Sequence, residues 1–235
     1  APYVSNGQRS GTPDDRWVFT NKSPGTNYAA AAALAAASRA LRGYNDALAE
    51  ECLTAAKKAW NDERQGPVAA APTGLAAGFG QGAELPVVLQ LLMATKERLY
   101  ADRFNELIWP ALDRSLARNM PIAVRALPCF DAAFTAKLDP YVRKYKDEMD
   151  GLSKQNPYGV PIGTGGWAGN AGVISWAITN YYLHKAYPDL IGPEYVFRGL
   201  DYILGCHPAS NVSFVSGVGT RSKMVAYGSN RADFT

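Results

Sequence analysis

The sequence predicts an all-α fold in which paired helices are arranged as an α/α toroid. Three observations lead there. Apolar residues recur at helical spacing along most of the chain, and residues 28–37 are dominated by alanines that permit close helix contact. Long loops rich in glycine and proline alternate with short connections, as they do when helical hairpins gather their long loops at one working end. No self-similarity exists at the roughly 34- or 40-residue periods of helical solenoids. A chain of 235 residues, 47% of them apolar, can bury a substantial core.

Seven helices follow in order. After Ser23-Pro24-Gly25, Thr26 caps a first helix reaching to about residue 42, and Gly43 ends it. A second, over 46–60, places Leu48, Cys52, Ala55, Ala56 and Ala59 on one face. Residues 61–81, rich in Gly, Pro and Ala, form a long loop. The third helix, 83–95, lines up Leu85, Val88, Leu91 and Leu92, and the fourth runs from 100 to about 118 with a bend at Pro110. A polar-faced helix covers 131–148. Residues 159–172 make a second special loop, at whose end Asn170 is placed to cap the following helix over 173–185. The last helix is 193–204.

Composition excludes several classes. Twenty-four basic against 21 acidic residues give a formal charge of +3, with no dense Lys/Arg stripe, so no nucleic-acid partner is expected. No run of about 18 apolar residues exists to cross a bilayer. Cys52, Cys129 and Cys206 are far apart and odd in number, which suits buried free thiols. His184 falls at a helix C-terminus, where an imidazole complements the dipole, and His207 beside Pro208 reads as structural. Neither belongs to a metal-ligand pattern, and no cofactor is implied. Asn211-Val212-Ser213 and Asn21-Lys22-Ser23 are glycosylation sequons, relevant only in a glycosylating host.

Two loops carry the chemistry. The stretch 156–170 holds five glycines together with Tyr158 and Trp167. Glycines let backbone approach a ligand, and flat rings stack on sugars, whose axial C–H faces are apolar while their rims hydrogen-bond. Tyr158 and Trp167 equally suit a plug for the end of a helical core, and both readings stay open. The second loop follows residue 204 and carries Tyr227, Asn230, Arg231 and Asp233, with the chain stopping two residues after the last. A polar loop cut off so soon is expected of a piece of a larger enzyme.

These residues carry a resemblance. Asn156-Pro157-Tyr158-Gly159-Val160-Pro161, Trp167-Ala168-Gly169-Asn170, and Asp201-Tyr202-Ile203-Leu204-Gly205-Cys206-His207-Pro208 followed by Ser213-Phe214-Val215-Ser216-Gly217-Val218-Gly219 resemble the later part of the catalytic domain of glycoside hydrolase family 9. So do Glu84-Leu85 leading into Leu91-Leu92-Met93-Ala94-Thr95, and the stretch from Ala29 to Arg39. The resemblance runs in consistent order from about residue 24 to the C-terminus.

It implies an (α/α)6 barrel, present here as an incomplete set of about seven helices over 24–235 after an irregular lead-in, 1–23. It further implies inverting hydrolysis of β-1,4-glycosidic bonds in a glucan-type polysaccharide, with an aspartate base and a glutamate acid. Both carboxylates belong to segments outside the matching motifs, so no catalytic residue is assigned to this chain, and Asp14-Asp15 suits a polar turn better than a base. Sugar contacts are expected at Tyr158, Trp167, Tyr227, Asn230 and Arg231. Where the family commonly has a His-His-Arg cluster, this chain has Ser229-Asn230-Arg231. Asn230 can still donate to and accept from a hydroxyl but cannot carry charge. The expected partners are a β-linked polysaccharide or oligosaccharide and the missing N- and C-terminal parts of the same domain. Secretion is implied by the resemblance alone. The alternative is a carbohydrate-binding or structural toroid lacking its catalytic carboxylates.

Overall fold

The computed structural model describes residues 24–65, 82–162, 169–206 and 211–222. Within them lie eight α-helices: α1 (Pro24–Leu41), α2 (Asp46–Gln65), α3 (Glu84–Thr95), α4 (Arg98–Arg114), α5 (Leu116–Ala126), α6 (Ala132–Gln155), α7 (Asn170–Ala186) and α8 (Glu194–Leu204). A 3-10 turn, Leu127–Cys129, joins α5 to α6. Two residues of β1 (Val212–Ser213) pair in parallel with β2 (Arg221–Ser222).

The helices form two layers. Odd-numbered helices make a row, α1 against α3, α3 against α5, α5 against α7. Each even-numbered helix lies against that row: α2 on α1 and α3, α4 on α3 and α5, α6 on α5, and α8 on α7. Paired helices in this arrangement are of the (α/α)-barrel type. The most buried helix is α3, where Leu85, Val87, Val88, Leu89, Leu91 and Leu92 are all inside. It is apolar on nearly all sides because α1, α2, α4 and α5 surround it.

Several expectations are corrected. The fourth predicted helix is two. Pro110 sits inside α4 without ending it, and the break falls at Ser115, whose backbone is extended at φ −156°. Asn119 holds that break, its Nδ2 donating to the carbonyls of Ala111 (2.8 Å) and Ser115 (2.9 Å). Beyond it, Leu116, Met120, Ala123 and Val124 recur at helical spacing and are buried in α5. In α2 the buried face is Ala49, Leu53, Ala56 and Trp60, rotated from the predicted one, leaving Leu48 and Ala55 exposed. Alanines on both faces blur the stripe, and the fully buried Trp60 decides it. Thr26 lies inside α1 as described (Pro24–Leu41) rather than capping it. Asn170 is the first residue of α7 rather than its cap, which is Gly169. The three cysteines are free, but Cys52 and Cys129 are half-buried and Cys206 is exposed. His184 behaves as expected of a helix end: its Nδ1 lies 2.7 Å from the Ile191 carbonyl in the α7–α8 connection. His207 lies outside the described residues.

The α7–α8 pair meets closely. A Cβ on Gly199 would stand 2.8 Å from the Ala177 Cβ and 3.4 Å from the Val173 carbonyl oxygen. Gly199→Val is expected to push the two helices apart and cost about 1–3 kcal/mol, read as a lower unfolding midpoint in urea. An unchanged midpoint would mean the pair is looser than described. The same pair leaves Ile174, Ile178 and Tyr181 on α7, and Phe197, Leu200 and Leu204 on α8, exposed.

Candidate functional site

Antiparallel alternation of the two layers has a geometric consequence. With successive helices reversing direction, the connections 42–45, 96–97, 127–131 and 187–193 fall at one end, and the break at Ser115 and the turn at 156–162 fall at the other. At that second end the starts of α1, α3 and α5 converge around a groove of about 430 Å³. Gly25, Ala83, Pro86, Arg114, Arg118 and Asn119 line it. Helix N-termini present unpaired N–H groups and partial positive charge, so this groove is rich in hydrogen-bond donors. Sequence reasoning missed Arg114 and Arg118. Their signal was weak, because the two arginines lie on different helices across the break at Ser115.

Glu84 fixes the base of this end. Its Oε1 accepts from Trp60 Nε1 (3.1 Å) and Arg103 Nε (3.0 Å), and its Oε2 accepts from Arg103 Nη2 (2.6 Å). Arg64 Nε adds an ion pair at 3.6 Å. The hydrogen bond that Arg103 donates to Glu84 raises the Arg103 pKa, against the opposing effect of burial. A carboxylate held by these donors anchors α2, α3 and α4 to one another.

The turn after α6 also lies at this end. Asn156 builds it, accepting from the Tyr158 N–H at Oδ1 (3.1 Å) and donating through Nδ2 to the Val160 carbonyl (2.9 Å). Gly159 has φ +63°, and a Cβ there would lie 3.0 Å from Ser153 Oγ. Arg198 Nη1 donates to the same Ser153 Oγ at 3.2 Å, tying the end of α6 to α8. One turn back, Asp150 accepts from Tyr195 and pairs with Lys146 at 2.6 Å. Burial pushes the Asp150 carboxyl up, but these two hydrogen bonds outweigh it and hold the group below its ordinary value.

The structure brings the two chemically marked loops together. The half-buried Tyr158 ring meets Tyr202 edge-on at 5.3 Å, and Tyr202 lies 5.6 Å from Phe214. Phe214 belongs to the loop that returns onto α8, its N–H donating to the Ile203 carbonyl (2.9 Å). Buried Ser213 closes that loop locally, accepting from the Val215 N–H (3.0 Å) and donating to the Val215 carbonyl (3.2 Å). Tyr158 thus stands at the junction of both loops. Trp167, Tyr227, Asn230 and Arg231 lie outside the described residues, as does Asp233. Among the described residues no three His, Cys, Asp or Glu side chains gather in a metal-binding group, and no helix is long and apolar enough to cross a membrane.

The sequence profile of glycosyl hydrolase family 9 matches residues 5–228. The chain belongs to glycosyl hydrolase family 9. No curated protein sequence matches it. Among solved structures of similar fold, a metagenome-derived family 9 endoglucanase is 24% identical with a TM-score of 0.62, covering 86% of this chain and 40% of that one. The cellulase Cel9M of C. cellulolyticum is 19% identical with a TM-score of 0.61, covering 86% of this chain and 48% of that one. A single mutant of the thermostable endoglucanase from Alicyclobacillus acidocaldarius is 17% identical with a TM-score of 0.63, covering 85% and 41%. The family 9 chain therefore spans less than half the length of these relatives. At these identities the likeness is one of fold.

Proposed function

We propose that this family 9 chain forms part of an enzyme that hydrolyses β-1,4-glycosidic bonds in a glucan-type polysaccharide, with inversion. Family membership over residues 5–228 carries the reading. The convergence of α1, α3 and α5 on one groove, at the end bearing the sugar-suited loops, supports it. Inversion needs two carboxyls about 6.5–9.5 Å apart, one as acid and one as base toward water. Among its described lining residues the groove has arginines and an asparagine but no carboxylate. The two carboxyls are accordingly assigned to other segments of the enzyme, which would complete an (α/α)6 barrel with this chain. The exposed apolar residues of α7 and α8 offer such segments a surface to cover. Sugar-contacting roles go to Tyr158, Trp167, Tyr227, Asn230 and Arg231, and the site is taken to act outside the membrane.

Reducing-sugar release from a soluble β-glucan by the full enzyme tests the reading. Trp167→Ala is expected to raise KM about tenfold, the loss of about 1.4 kcal/mol of ring stacking. Wild-type enzyme that releases no reducing ends from any β-1,4-glucan would refute the assignment. Activity with an unchanged KM in the variant would instead remove Trp167 from the site.

A further inference from the structure

Another groove lies elsewhere, between α4 and α6. It encloses about 820 Å³ and is bounded by Asn105, Glu106 and Trp109 from α4, and by Phe130, Asp131 and Lys137 around the start of α6. Its floor is a connected set of rings. Trp109 lies 5.0 Å from Phe134 and 5.9 Å from Tyr141, and Phe134 stacks on Phe130 at 4.3 Å with only 14° between planes. Held by these neighbours, Trp109 is a fixed platform.

The polar rim has hydrogen-bonding capacity to spare. Among the described residues the Asn105 amide engages no partner. Glu106 meets Arg103 through Oε2 (2.7 Å), and Asp131 accepts the Phe134 N–H through Oδ1 (3.1 Å), so each keeps a second oxygen for another donor. Among the described residues Lys137 makes no ion pair. Its Nζ rests 4.2 Å above the Trp109 ring, a solvent-exposed contact weak enough for a ligand ring to displace.

We infer that this groove is a second carbohydrate-binding surface, taking a β-glucan chain. A flat ring flanked by an amide, two carboxylates and an ammonium matches a pyranose, which has an apolar C–H face and a rim of hydroxyls that both donate and accept. An amphipathic protein helix would fit worse, since its apolar stripe would desolvate those polar groups without pairing them. The groove lies between two helices of the second layer, at the start of α6. The choice of β-glucan rests on the function proposed above, whereas the presence of a sugar site rests on the groove alone.

Retardation of the full enzyme in native gels containing hydroxyethyl cellulose tests this, beside hydrolysis of a short cello-oligosaccharide. Trp109→Ala is expected to weaken retardation about tenfold in apparent Kd. Since Trp109 also packs on the core, Asn105→Ala is the second variant: its amide makes no hydrogen bond among the described residues, and its retardation should weaken about three- to tenfold with a nearly unchanged melting temperature. Hydrolysis of the short substrate should remain at wild-type rate in both. Wild-type retardation in both variants, or none in the wild type, overturns the proposal while leaving hydrolysis to judge the catalytic reading. Retardation that depends on Trp109 and Asn105 in a protein without hydrolytic activity upholds the groove and overturns the catalytic reading.

Discussion

Gly205→Ala should lower the stability of the protein by about 2–4 kcal/mol, combining the cost of a left-handed alanine with that of overpacking. Gly205 ends α8 with φ +95°, and a Cβ there would lie 2.7 Å from the Ser213 nitrogen and 2.8 Å from the Val212 carbonyl carbon. Both atoms are backbone, so no side-chain rotation relieves the clash. The loop 211–222 must move away from α8, taking Phe214 off Tyr202 and loosening the packing that supports Tyr158. Differential scanning calorimetry should show the melting temperature falling by about 5–15 °C. Gly43→Ala provides the control. Gly43 also has a positive φ, +85°, but its Cβ would meet nothing within 4 Å. Only the conformational cost of about 1–2 kcal/mol applies there. Equal losses at the two positions would show that the close approach of α8 and its returning loop contributes nothing.

Glu84→Ala should be at least as damaging, at about 3–4 kcal/mol. The substitution leaves the Trp60 indole N–H without its acceptor inside the core and strips the Arg103 guanidinium of its bidentate partner. Glu84 is only 14% exposed and Arg103 27%, so water compensates poorly for either loss. Glu84→Gln keeps an acceptor for Trp60 while removing the charge, and is expected to cost less than the alanine variant. A double-mutant cycle with Arg103→Ala, followed by urea unfolding, should give a coupling of about 1–3 kcal/mol. Additive single-mutant losses would mean that α2, α3 and α4 are held by apolar packing alone.

The two residues illustrate what sequence could convey. Gly205 stood in a legible motif, a helix stop followed by a loop, but the backbone it must admit comes from residues 212 and 213 and leaves no periodic trace. In the sequence Glu84 marks a helix start and part of the family resemblance, but its anchoring role is hidden because its partners lie 24 and 19 residues away. Long amphipathic segments were read correctly in kind. The boundary between α4 and α5 was missed because the chain turns at Ser115, while Pro110, the expected disruptor, is accommodated within α4. At the candidate site, Tyr158 was singled out from its glycine-rich setting, whereas Arg114 and Arg118 acquire meaning only once three helix starts converge. An aromatic residue in a loop is conspicuous; a charged residue on a helix is not, until its neighbours from other elements are known.

The two-layer row has one further consequence, for the order in which it assembles. Each helix touches chiefly those one or two places along the chain from it. Local contacts of this kind keep loop-closure entropy low and make for fast, stepwise assembly. As the chain leaves a ribosome, each hairpin can settle on its predecessor without waiting for distant segments. The α7–α8 pair, emerging last of the eight, settles onto α5 and leaves its uncovered isoleucines and phenylalanine at the edge of the row.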